Sequence, residues 1–167
     1  MAEREVVLER QKTSFEGLFS PKEVITIIKN FADDKSMDWE EAKHSESVTA
    51  DGRFIDIELD LPRKINDYAK KRLKLKIPMS KLKEKIVDID GKKKKYFEGK
   101  FDMTTGAYIE TDYEKRWESK PSFYLIRVFF EKYVFSPQMN KYKSEIKEDY
   151  DLLKQRLKTY FNMMQIK

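Results

Sequence analysis

The sequence predicts an α+β fold in which a curved antiparallel sheet packs on a long C-terminal helix. Three observations predict it. Through the middle of the chain, apolar and polar residues alternate with period two, as in Ile55, Ile57, Leu59 and Leu61 against Asp56, Glu58 and Asp60. From Met139 to Met164 the apolar residues step by three or four instead. The elements also read in the order strand, helix, run of strands, helix, which lacks the strand–helix alternation of a parallel sheet. With 167 residues and neither a Gly/Ser-rich linker nor an internal repeat, the chain is expected to form one domain, 1–167.

Residues 4–16 read as a first strand ending near Phe15. A helix start follows, with Ser20 at the N-cap, Pro21 at N1 and Glu23 at N3, the pattern of a capping box. Phe19 and Val24 stand where a hydrophobic staple forms. Val24, Ile28 and Phe31 then repeat at i, i+4 and i+7, which carries the helix to about Asp34.

Leu73, Leu75 and Ile77 repeat the alternation of residues 55–61, with Arg72, Lys74 and Lys76 opposite. A hairpin turning near Asn66 brings the two strands together in one of two registers. One faces Asp60 with Arg72, Glu58 with Lys74 and Asp56 with Lys76; a two-residue slip faces Asp60 with Lys74 and Glu58 with Lys76. A further strand spans about Lys83 to Asp90, and Asp90-Gly91 signals a second hairpin. The returning segment keeps one parity through Phe97, Phe101, Met103, Ala107, Ile109 and Tyr113. That is too long for one flat strand, so either Gly99 and Gly106 mark bulges that curl it, or a second turn lies at Thr104-Thr105-Gly106.

Ser119-Lys120-Pro121 opens an apolar run from Phe123 to Phe135, read as a buried helix or, alternatively, as a membrane-surface helix. Ser136-Pro137 starts the last helix, whose stripe is Met139, Tyr142, Ile146, Tyr150, Leu153, Leu157, Tyr160 and Met164, widened by Phe161. Its bulky Tyr, Phe and Met residues suit a concave sheet better than a two-stranded coiled coil.

The net charge of +5 conceals an asymmetry. Residues 63–100 hold 15 Lys and Arg against five Asp and Glu, a net of +10, so the remainder carries −5. Residues 33–60 are the acidic counterpart, with ten Asp and Glu against Lys35, Lys43 and Arg53. The basic excess raises a polyanionic partner, nucleic acid or ribosome, contacted through Lys70, Lys71, Arg72, Lys92, Lys93, Lys94 and Lys95. Opposed to it are pairing across the sheet and the ordinary use of lysine to protect strand edges.

The residue inventory removes several chemistries. There is no Cys, and the five glycines form neither a Walker A loop nor a dinucleotide-binding turn. His44, the one histidine, lies in a polar stretch without a Gly-x-Ser-x-Gly elbow elsewhere. Asp90, Glu98 and Lys100 resemble the carboxylate and Glu-x-Lys pattern of a magnesium nuclease, but Glu-x-Lys recurs at Glu41/Lys43, Glu118/Lys120 and Glu145/Lys147. The expectation is therefore no catalytic residue, no metal and no cofactor, and the reading leans away from an enzyme. No run of 18 apolar residues and no apolar leader is present, so a cytoplasmic protein without a transmembrane segment is expected. Lys and Glu richness also fits a thermophilic source.

The strand and capped helix from Phe15 to Phe31, the alternating strands between Ile55 and Tyr113, and the stripe from Met139 to Met164 together resemble the helix-grip arrangement of the Bet v 1-like and START-like superfamily. The resemblance is one of order and periodicity. It implies a hydrophobic cavity between sheet and helix, and a binding role. On that basis the expected function is to hold an apolar or amphipathic, lipid-like molecule. Ile57, Leu59, Phe101, Met103 and Ile109 would line the sheet side, and Ile146, Tyr150 and Leu153 the helix side. The alternatives are the polyanion reading and a peripheral membrane or scaffold role for residues 121–135.

Overall fold

A computed structural model describes residues 3–111 and 136–166, together with Leu125, Val128, Phe129 and Lys132. Its elements are β1 (Glu3–Phe19), α1 (Pro21–Asp34), β2 (Glu40–Thr49), β3 (Gly52–Lys64), β4 (Ala69–Ile89), β5 (Lys92–Thr111) and α2 (Ser136–Ile166). The strands form one curved, unclosed antiparallel sheet in the order β1-β5-β4-β3-β2, and α2 packs on it. The α+β prediction is thus met.

The β3–β4 register is the slipped one, with Asp60 opposite Lys74 and Glu58 opposite Lys76. Arg72 then falls opposite Pro62 and reaches sideways to three carboxylates: Asp60 at 2.9 Å, Glu110 at 2.9 Å and Glu40 at 3.5 Å. Burial works against its charge, but hydrogen bonds to Glu110 and Asp60 outweigh that and hold the guanidinium above its usual pKa. Lys43 with Asp56 (2.6 Å) and Lys76 with Glu58 (3.2 Å) continue the lattice over the outer face. Such solvent-screened pairs add little stability; their larger effect is to select one register.

The two short strands expected at 73–77 and 83–90 are one strand, β4. A bulge between Ser80 and Lys83 hides the continuity, because the extra residue inverts the alternation there. Likewise the return from Lys92 is one strand, β5, without a second turn at Thr104–Gly106. The bulges expected at Gly99 and Gly106 lie in the partner strands instead, in β4 beside Gly99 and in β1 between Leu8 and Gln11 beside Gly106. Gly99 is where the bulge closes in: a Cβ there would stand 2.8 Å from the Ser80 carbonyl oxygen and 2.8 Å from Leu82 Cδ2. Asp90 and Gly91 close the hairpin with φ of 52° and 76°, the left-handed pair that a two-residue turn of this twist requires.

β2 was not expected. Its sequence, Glu-Glu-Ala-Lys-His-Ser-Glu-Ser-Val-Thr, has no apolar alternation, and all ten residues are exposed. As an edge strand it is held by backbone pairing to β3 and side-chain links to that strand, so hydropathy carries no trace of it.

The core lies between the inner face of the sheet and the two helices. Leu59, Leu61, Leu73, Leu75, Ile77, Phe101 and Met103 face it, each at most 2% exposed. Toward the C-terminal end of α2, Phe161 stacks on Phe15 at 4.2 Å and tilts against Phe101 at 4.9 Å. The expected helix over 121–135 lies outside the described residues, apart from Leu125, Val128 and Phe129, which are helical and exposed, and Lys132. No helix among the described residues is long and apolar enough to cross a membrane.

Candidate functional site

α1 and α2 run antiparallel, as three contacts show. Glu23 meets Tyr160 near the start of α1, Asp34 meets Arg156 at 2.8 Å, and Lys35, just past its end, meets Asp149 at 3.0 Å. The start of α1 departs from the expected capping box. Ser20 Oγ accepts from the Glu23 amide at 3.4 Å, as a cap should. The reciprocal bond, Glu23 carboxylate to Ser20 N–H, is replaced by a relay through Tyr160. The Ser20 N–H donates to the Tyr160 hydroxyl (2.9 Å), which donates to Glu23 (2.8 Å); Tyr96 also donates to Glu23 (3.3 Å). Burial first, and then Glu23, raise both phenols above the usual tyrosine value, Tyr160 by far, although the Ser20 amide pulls Tyr160 the other way. Both tyrosines therefore stay neutral donors, and the helix start, α2 and β5 are tied at one carboxylate.

Two clefts open beside this knot. One, of about 510 Å³, lies between the helices, with Ile27, Leu152 and Met163 as its apolar residues and Asn30, Gln155 and Thr159 among its polar ones. The other, of about 450 Å³, continues to β5 and is lined by Lys22, Lys94, Tyr96, Tyr160, Met163 and Met164 among others. They share Ile27, Tyr160 and Met163, so they form one groove. Met163 is 53% exposed there, although it belongs to an otherwise packed helix end. A third cleft of about 640 Å³ lies by the β4 bulge and is polar, with Lys81, Lys83, Lys100, Glu16 and Glu98 around Gly17 and Gly99.

The eight residues expected to line an internal cavity all lie on the inner side, and seven of them share one core cluster, Ile109 standing apart from it. Ile57, Leu59, Phe101, Met103, Ile109, Ile146, Tyr150 and Leu153 are each at most 5% exposed, and none lines any of these three clefts. The groove residues Ile27 and Met163 carry no signal of function in the sequence. Met163 adjoins Met164 one step off the buried stripe, and that offset is the available clue.

The expected polyanion contacts divide. Lys71 is 2% exposed and turns inward, where its ammonium meets Glu145 at 3.1 Å and Asp149 at 3.6 Å under α2, so it is removed from any surface role. Its parity with Leu73 and Leu75 was the available signal. Arg72 is held by three carboxylates, and Lys95 pairs with Glu84 at 2.8 Å. Lys70 is half-buried on β4. Lys92, Lys93 and Lys94 stand exposed at the β4–β5 tip without an ion pair to any described residue.

His44 sits on exposed β2 between Glu41 (3.4 Å) and Glu46 (3.2 Å), and Glu46 is also bound by Arg53. Those hydrogen bonds, from Arg53 first and His44 second, hold the Glu46 carboxyl below its usual range. Asp90 lies at the hairpin tip, about 20 Å along β5 from Glu98 at ~3.3 Å per residue, so the nuclease-like trio is not assembled. Among the described residues no group of three His, Cys, Asp or Glu is placed to hold a metal ion. Comparison with family models, curated proteins and solved structures finds no match.

Proposed function

We propose that the chain is a non-enzymatic binding module that takes a small amphipathic molecule into the groove between α1, α2 and β5. The sheet with a helix laid against it supports a helix-grip arrangement, but the ligand sits beside the helix rather than beneath it. The observation that carries this reading is the continuity of the two clefts through Ile27, Tyr160 and Met163. Each falls in the 300–1,000 Å³ range typical of small-molecule sites, and each mixes apolar walls with a few polar groups. Methionine suits such a wall because its unbranched thioether adapts to the shape of an occupant.

Titration of methyl-labelled protein with decanol and with decanoate tests the reading. Saturable shifts are expected at Ile27, Leu152 and Met163. Shifts confined to Ile57, Met103 and Leu153 would return the ligand to the space beneath α2, and the absence of shifts with either compound would remove the small-molecule reading altogether.

A second reading is favoured by one observation, that Lys92, Lys93 and Lys94 are exposed and form no ion pair with any described residue. A polyanion gripped there would be released steeply as salt rises. Failure to retard any RNA or DNA at low salt sinks it.

A further inference from the structure

Resting on the groove reading, we infer that the preferred occupant is a single-chain anionic amphiphile, a fatty carboxylate, whose headgroup sits at the Lys22–Lys94 end. The first argument is charge. Around the two helices, Lys35 is matched by Asp149 and Arg156 by Asp34. Lys22 and Lys94 line the same cleft, and neither forms an ion pair with any described residue. The carboxylate beside them, Glu23, is already occupied by the hydroxyls of Tyr160 and Tyr96. Two cations thus border one cleft from separate elements, Lys22 from the first turn of α1 and Lys94 from β5. The positive end of the α1 dipole adds to their field.

The second argument is shape. Away from that end the apolar track is a single row, Ile27, Met163 and Leu152, bordered by Asn30, Gln155 and Thr159. It follows α2 from Met164 back to Leu152, about 18 Å at ~1.5 Å per residue. One alkyl chain fits a single row; a two-chain lipid would leave one tail against polar side chains.

The test is calorimetry and amide-shift mapping on the full chain with decanoate, decanol and decyltrimethylammonium, each kept monomeric. Decanoate is expected to bind about tenfold more tightly than decanol, the scale of one charge-assisted hydrogen bond. The advantage should shrink as salt is raised. The double variant Lys22→Gln with Lys94→Gln should abolish that advantage, so that decanoate and decanol bind the variant with equal affinity. Equal affinity for decanoate and decanol, or an advantage that survives in the double variant, would overturn the inference while leaving the groove reading intact. No binding of any of the three compounds would overturn both. Binding to anionic phosphatidylglycerol vesicles without binding of monomeric decanoate would also overturn it, in favour of a membrane surface.

Discussion

Between Ile146 and Leu157, α2 presses Ile146, Leu153 and Leu157 onto the inner face of the sheet with no exposure at all. Less than two turns beyond Leu157, Met163 is half exposed over a groove and Tyr160 holds a polar knot with Glu23. The same helix is sealed on the face it turns to the sheet and open along the flank that runs from Leu152 to Met163. The difference is what lies opposite. The stripe faces the concave sheet, whose inward positions are filled mostly by large apolar side chains. The flank faces the side of α1, where residues of two convex cylinders meet along a line and leave a channel beside it. The sealed part should therefore govern stability and the open part binding.

The largest effect is expected at the charged pair within the sealed part. Lys71→Met should destabilise by roughly 3–5 kcal/mol, because Asp149, itself 4% exposed, would be left with Lys35 alone. Replacing both partners, as Lys71→Met with Asp149→Leu, should recover most of the loss. Chemical denaturation of the three variants checks this; a double variant no more stable than the single one would show that the pair is not an isolated unit. Leu153→Ala comes next, at about 3 kcal/mol from lost apolar burial and the cavity left behind. A loss under 1 kcal/mol would mean that the space beneath α2 is not tightly filled and would revive an internal ligand site.

The sealed part was also the legible part. Period-two alternation in β3 and β4 and the three–four stripe of α2 named most of the apolar residues that those three elements bury, because burial on one face is what writes those periods. The capped start of α1 was legible for the same local reason. Legibility failed where no face is buried or where the period is interrupted. β2 buries nothing, so it left no hydropathic trace, and the extra residue at Lys81–Leu82 made β4 read as two strands. Lys71 was misread by composition although its parity was correct. The groove was not legible at all. It arises from the approach of α1 to α2, a relation between residues more than 130 positions apart, such as Glu23 and Tyr160.

Between the two regions stands Tyr160, and its effect should be intermediate. Tyr160→Phe leaves the Ser20 amide without its partner and Glu23 with Tyr96 alone, and should cost about 1–2 kcal/mol. It should also change the pH dependence. The folded phenol titrates well above its ordinary value near 10, so the unfolded chain loses this proton first. Its contribution is thus fully present below pH 10 and is lost as pH rises from there through the folded value, with a slope of up to ~1.4 kcal/mol per pH unit. Denaturation midpoints taken from pH 8 to 11 should fall more gently in the Phe variant; parallel curves would mean that Tyr160 ionises alike in both states.

The smallest stability effect is expected at the open flank, and it sharpens the comparison most. Met163→Gln keeps an unbranched side chain of similar length on a half-exposed helical site, so stability should shift by no more than about 0.5 kcal/mol. Met163 nonetheless borders both clefts, and a polar amide in the single apolar row would face an alkyl chain there. Decanoate and decanol should both weaken by about threefold to tenfold, since neither can satisfy that amide. This common loss differs from the Lys22 and Lys94 variants, which should separate the two compounds. If Met163→Gln instead lowered stability by several kcal/mol, this flank of α2 would be packed as its stripe is, and the contrast on which the binding proposal stands would disappear.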